Sequence, residues 1–216
     1  MSQKKNPTVE QMLEYRQLCN QIYTDNSHKA IQSFKEEYDV FTKVYEMNGR
    51  FGLKDACGEV LIPALFDDVL YTFADEYRNW VVPVLNDGKI AFVSPDGNGT
   101  LVTEFIYDSV NFLAGFYILI SDDKQGIATI IGQIVVPVEM DDLFEPFNDL
   151  LVFKKGDKFG FAMLNSALCT DAIYDSYEIL DNEYLRVVRV NTIGYIDDNA
   201  SFTTDEDKSF FNAMCN

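Results

Sequence analysis

Cations are scarce in this chain of 216 residues: 17 Lys and Arg stand against 35 Asp and Glu, a formal net charge of −18. Phosphate backbones and anionic lipid would repel such a surface, which argues against nucleic acid and membrane as partners. The charge suits a solubilising role that blunts exposed strand edges. Histidine is nearly absent. The one imidazole, His28, has no nucleophile or orienting group near it in sequence, so no catalytic residue is assigned. No apolar run approaches the roughly 20 residues that a membrane-spanning helix needs. MSQKKNPTVEQ carries two lysines and then no apolar stretch, so no secretory signal is expected. The four cysteines (Cys19, Cys57, Cys169, Cys215) show no CxxC spacing. Their scatter favours reduced thiols in a cytoplasmic protein over disulfides or a zinc site. No metal site and no cofactor is expected.

What the chain does have is apolar and aromatic residues, 47% and 14%. Ordered structure is the expectation. Residues 1–38 differ in texture from the rest and are read as a helical cap. Pro7 after Asn6 suits a helix start, and Thr8 with Gln11 offers an alternative capping box. Val9, Met12, Leu13, Ile22 and Tyr23 share one approximate helical face. After Asp25-Asn26-Ser27, Ser27 could cap a second helix bearing Ile31, Phe34 and Tyr38. Terminal units of repeat arrays need such a cover.

From Val40 onward the chain is self-similar. Gly49-Arg50-Phe51-Gly52, Gly88-Lys89-Ile90-Ala91, Asp123-Lys124-Gln125-Gly126, Asp157-Lys158-Phe159-Gly160 and Asn191-Thr192-Ile193-Gly194 align. Gly58, Gly97, Gly132, Ser166 and Ala200 follow six residues after each quartet, and Asp67, Asp141 and Asp175 nine beyond those. Asp108 arrives two residues late, through an insertion around Asn98-Gly99. The quartets open with residues that tolerate positive φ and suit two-residue hairpin turns. Their fourth member is always Gly or Ala, the mark of a bulge or a close backbone approach. Leu53, Phe92, Ile127, Phe161 and Tyr195 come next and are the expected core spine. Pro63 and Pro137 should end their strands or hold them at an edge. The expected array, residues 39–204, has about five three-stranded antiparallel hairpin units, as an open solenoid or a propeller-like closure. A tail follows over 205–216, where Phe210 and Phe211 could cover the last unit.

Asn48-Gly49-Arg50-Phe51-Gly52-Leu53-Lys54-Asp55-Ala56-Cys57-Gly58-Glu59-Val60-Leu61-Ile62-Pro63 resembles the WG repeat family of bacterial β-rich tandem repeats. The resemblance covers about residues 40–204. No unit keeps the family's tryptophan; Phe51, Ile90, Gln125, Phe159 and Ile193 stand in its place. The likeness implies an all-β repeat array and a binding role, with no chemistry attached.

Acidic pairs recur at Asp67-Asp68, Asp122-Asp123, Asp141-Asp142 and Asp197-Asp198. Paired carboxylates could serve a hydrolase or hold calcium. Neighbouring strand residues face opposite ways, however, and Asp is a common turn residue. One Asp per unit at one position points to a structural task done once per unit. The segment YTFADEYRNW, Tyr71 to Trp80, lengthens the link between the first two units and holds the single tryptophan. Insertions in repeat proteins fall on one face, often the binding face. Tyr71, Tyr77 and Trp80 are the candidate ligand-binding residues, with a protein or peptide expected before a small molecule. The competing reading makes Trp80 the start of a core strand over Val81–Val84. A non-catalytic binding or scaffold module is therefore expected, ahead of a carboxylate hydrolase or a purely structural partner protein.

Overall fold

The computed structural model describes residues 4–19, 25–72, 79–113, 115–144, 149–180, 185–197 and 199–204. They form two helices and five small antiparallel sheets. The chain divides into two compact units: residues 1–108 with 130–132, and residues 109–129 with 133–216.

In the first unit, α1 (Val9–Cys19) and α2 (Asp25–Glu37) precede the sheets. The capping box is the start that forms. The Gln11 side chain accepts the Thr8 N–H at 2.8 Å, and Thr8 Oγ1 accepts the Gln11 N–H at 3.3 Å. The buried face of α1 is Met12 and Tyr15, while Val9 and Leu13 point to solvent. That corrects the expected face, because Tyr15 stacks on Phe34 at 4.9 Å and sets the helix rotation. Ile22 and Tyr23 lie outside the described residues. Ser27 falls inside α2 rather than ahead of it. Together Met12, Tyr15 and Val40 pack with Ile31, Phe34, Tyr38, Ala56 and Cys57, so the helices rest on the turn that leads from residue 54 to residue 60 in the first sheet.

The first sheet is β1 (Lys43–Met47), β2 (Arg50–Lys54) and β3 (Val60–Phe66). The second is β4 (Asp68–Val69), β5 (Val82–Asn86) and β6 (Lys89–Val93). In the second unit, β7 (Ser109–Leu113), β8 (Phe116–Ser121), β9 (Lys124–Thr129) and β10 (Ile134–Met140) form one sheet. Next come β11 (Asp142–Leu143), β12 (Leu150–Lys155), β13 (Lys158–Met163) and β14 (Leu168–Cys169). The last sheet is β15 (Ser176–Ile179), β16 (Leu185–Arg189), β17 (Thr192–Ile196) and β18 (Phe202–Thr204). Three of the five sheets thus have four strands rather than three. The segment after each recurring Asp joins the following sheet as its outer edge. After Asp108, Asp141 and Asp175 it makes the fourth strand, while the second sheet, entered by β4, has isolated bridges from Leu101 and Tyr107 in place of a further strand.

The quartets lie at the hairpins. Both turn residues have positive φ at Asn48-Gly49, Asp87-Gly88, Asp122-Asp123 and Val190-Asn191, the mirror-image turns that match strand twist. Leu53, Phe92, Ile127 and Phe161 are buried at 0–1% exposure. Tyr195 is only half-buried. Strands β3 and β10 run through Pro63 and Pro137 and do not end there. Both are edge strands, and their ladders jump register at the proline, with Leu53 opposite Ile62 but Phe51 opposite Phe66. A bulge absorbs the missing donor.

Candidate functional site

Carboxylates were the alternative to binding, and the fold commits the recurring ones. Asp67 receives the Arg50 guanidinium on Oδ1 and the Asp87 N–H on Oδ2 at 2.7 Å. Asp141 takes Lys124 on one oxygen and the Gly156 N–H on the other at 2.5 Å. Asp175 takes Lys158 and the Val190 N–H at 2.8 Å in the same way. Asp108 pairs with Lys89. Each basic partner is the second quartet residue. Each amide sits on the next sheet's hairpin turn, so one carboxylate clips two successive sheets together. The Lys124 ammonium and the Gly156 amide hold the Asp141 carboxyl below the usual range, and Lys158 with the Val190 amide does so at Asp175. A carboxylate locked ionised by a cation is a poor proton donor at neutral pH.

Other members of the acidic pairs have local structural roles. Asp68 accepts its neighbour Val69's N–H at 2.8 Å. Asp122 and Asp123 are themselves the β8–β9 turn. Asp197 accepts the Asn199 and Ser201 amides, and Asp55 likewise holds the Cys57 and Glu59 amides of the β2–β3 turn. Among the described residues no cluster of His, Cys, Asp or Glu has metal-holding geometry. The Cys169 thiol is pushed up by burial and by Asp171, and its Sγ donates to the Val135 carbonyl at 3.0 Å. That is a packed thiol, not a nucleophile. Cys57 Sγ lies 3.6 Å from the Thr8 carbonyl under α1. The side chain of His28 lies outside the described residues.

The aromatic insertion occupies a defined place. Val69 pairs with Val84 and Asp68 with Leu85, so residues 70–81 are the loop of the β4–β5 hairpin within the second sheet. It is not a link between two sheets, as its place in the sequence frame suggested. The loop leaves the sheet at the end opposite the Asp87-Gly88 turn. Its stems are fixed: the Leu70 N–H donates to Pro83 at 3.0 Å, and the Val81 N–H donates to Ile130 at 2.8 Å. Tyr71 and Trp80 are half-buried at the two stems. Strand β5 starts at Val82, two residues past Trp80, so the indole is neither fully in the core nor in the strand. Tyr77 lies outside the described residues. The corresponding hairpin loops are shorter, residues 144–149 between β11 and β12 and 180–184 between β15 and β16.

Sequence reading missed one recurring contact. Thr103 Oγ1 accepts the Phe92 N–H at 2.9 Å, and Thr170 Oγ1 accepts the Phe161 N–H at 3.0 Å. Both threonines patch the strand opposite the spine residue where the ladder lapses. The threonines are spaced differently from the quartets, so the repeat frame did not align them.

No family model and no curated protein matches the chain. Among solved structures, it is similar to Hsv2 of Kluyveromyces lactis, with 11% identity over 79% of this chain and 61% of that one and a TM-score of 0.35. It is also similar to PorZ of Porphyromonas gingivalis, with 11% identity over 75% and 25% of the two chains and a TM-score of 0.28. The Pan2 WD40 domain of Neurospora crassa matches with 12% identity over 60% and 46% and a TM-score of 0.24. The chain thus spans about three fifths of the length of the Hsv2 structure. Likenesses of this strength leave the array's closure and activity to the chain's own geometry.

Proposed function

We propose that this chain is a non-catalytic binding or scaffold module, built as a tandem array of WG-type β units, whose partner is a protein or peptide. One observation carries the reading. The carboxylates that recur through the array are each taken up by a cation, and at three joints by a backbone amide as well, which leaves them to hold sheets together. Acid–base chemistry would instead need a carboxyl with a raised pKa facing a cleft. The contact falls on the β4–β5 loop, where Tyr71 and Trp80 flank the segment carrying Tyr77. Large aromatics with a polar tip make favourable anchors at little entropic cost. The acidic residues of that segment, Asp75 and Glu76, favour a cationic or neutral partner.

Affinity capture with the full chain and with Tyr77→Ala, read by quantitative mass spectrometry, tests this. Partners retained by the native chain should be lost from the variant while its melting temperature stays within about 2 °C, the scale of a neutral surface change. A variant that captures the same partners equally well removes the loop from the interface.

A further inference from the structure

A second surface of the first unit carries exposed aliphatic side chains that no core explains. Strand β3 bulges at Pro63, and the segment after β6 folds over it. The Gly97 N–H donates to Leu61 at 2.8 Å, and a Cβ on Gly99 would lie 3.2 Å from the Pro63 ring and 3.8 Å from Leu65. Around this seam Leu65 is 57% exposed, Leu101 51% and Val60 37%. Leu101 is held at the rim by its bridge to Val93, and Val60 by its pairing with Lys54. Val60 and Leu101 are fixed by these pairings, Leu65 lies in the register gap between Ile62 and Phe66, and covering the three would add apolar burial.

The charge around them has one sign. No Lys or Arg occurs between Lys54 and Arg78, nor between Lys89 and Lys124, so both segments forming the seam lack cations altogether. Exposed carboxylates beside the aliphatic side chains include Glu59, next to Val60, and Asp96, with Glu104 three residues past Leu101. The cation bordering the seam in the ladder is Lys54, and its ammonium sits over the Tyr45 ring at 4.2 Å, on the β1 side of β2.

We propose that this seam, between the β3 bulge and residues 94–101, docks a basic peptide segment bearing branched aliphatic side chains. The aliphatic groups would cover Val60, Leu65 and Leu101, while Lys or Arg side chains meet Glu59, Asp96 and Glu104. Charge complementarity of this kind chooses the partner and speeds encounter, and the apolar contacts slow release. The inference rests on Val60, Leu65 and Leu101 and does not depend on the role of the β4–β5 loop.

The test is fluorescence anisotropy of the full-length chain with a short labelled peptide of Lys and Leu, beside its Glu–Leu counterpart. The Lys–Leu peptide should bind in the micromolar range and weaken roughly tenfold between 50 and 300 mM NaCl. The Glu–Leu peptide should not bind. Leu65→Ser and Leu101→Ser should each raise Kd at least about fivefold, as loss of an apolar anchor does. Glu59→Gln with Glu104→Gln should raise it further. Thermal melts accompany each variant to show that the fold is intact. Binding that ignores Leu65→Ser and Leu101→Ser is diffuse attraction to an acidic protein and overturns the proposal. So does equal binding of the Glu–Leu peptide, or no binding. Sedimentation showing a dimer that Leu65→Ser dissociates would give the seam to a second copy instead, and would equally overturn it.

Discussion

Gly52 has ordinary φ, yet a methyl group there would come within 2.4 Å of the Ile62 carbonyl oxygen and 2.8 Å of the Ala64 amide. Backbone cannot step aside as a flexible side chain can. Gly52→Ala should therefore cost about 1–3 kcal/mol by overpacking, read as a lower urea midpoint at unchanged slope. At the same quartet position the second sheet carries a buried Ala91. Opposite that strand lies the Leu101–Tyr107 excursion, not a proline bulge, and it leaves room for one methyl group. Phe161 is fully buried between Tyr174 and Tyr177, with ring centroids at 5.4 and 5.7 Å. Phe161→Ala should cost roughly 3–5 kcal/mol in a chemical melt, the range for a core aromatic. Val190 presents the opposite case: a β-branched residue at φ 47° on an exposed turn, where Asn or Gly would be at ease. Val190→Asn keeps the N–H that Asp175 accepts and should gain about 1 kcal/mol by relieving that strain.

At the scale of elements, the joints between sheets respond to pH. Asp141 and Asp175 titrate lower in the folded chain, first because of Lys124 and Lys158 and then because of the amides they accept. A depressed carboxyl adds stability that is complete above its unfolded pKa, about 3.9. That stability is lost as pH falls through the lower folded value. Both groups are exposed and screened, so the contribution is small per joint. Urea midpoints measured from pH 6 down to pH 2.5 should fall. In Asp141→Asn with Asp175→Asn the fall should be shallower, with a lower starting midpoint at pH 6. An identical acid limb in the variant would mean that other carboxyls carry the transition.

For the whole molecule, −18 formal charges repel one another while four exposed ion pairs, three of them clips between sheets, attract. Exposed pairs contribute little each and are weakened by salt. Self-repulsion of a large net charge is weakened too, and here it acts over many more pairs. Added NaCl should therefore raise the melting temperature of this protein. A fall with salt would show that the clips outweigh the repulsion.

The sequence by itself determined the hairpin turns, the burial of Leu53, Phe92, Ile127 and Phe161 and the structural use of Asp, because these depend on neighbours within a few residues. Turn residues that accept positive φ, an alternation of period two and a small residue opposite a bulge are local requirements, and they repeat in register. The capping box at Thr8 and Gln11 was legible for the same reason. Tertiary structure decided what depends on distant partners. It moved the strand after each Asp into the following sheet, which makes three of the sheets four-stranded, since pairing is settled by which edge lies within hydrogen-bonding distance. It rotated α1 onto Tyr15, whose stacking partner Phe34 is on another helix. It carried β3 and β10 through their prolines, because a bulge at an edge leaves the absent N–H without a ladder partner to lose. It gave the β4–β5 hairpin the aromatic loop, with Tyr71 and Trp80 at its stems. And it assembled the Leu65–Leu101 seam from segments some thirty-five residues apart, an adjacency that packing creates and that no local pattern encodes.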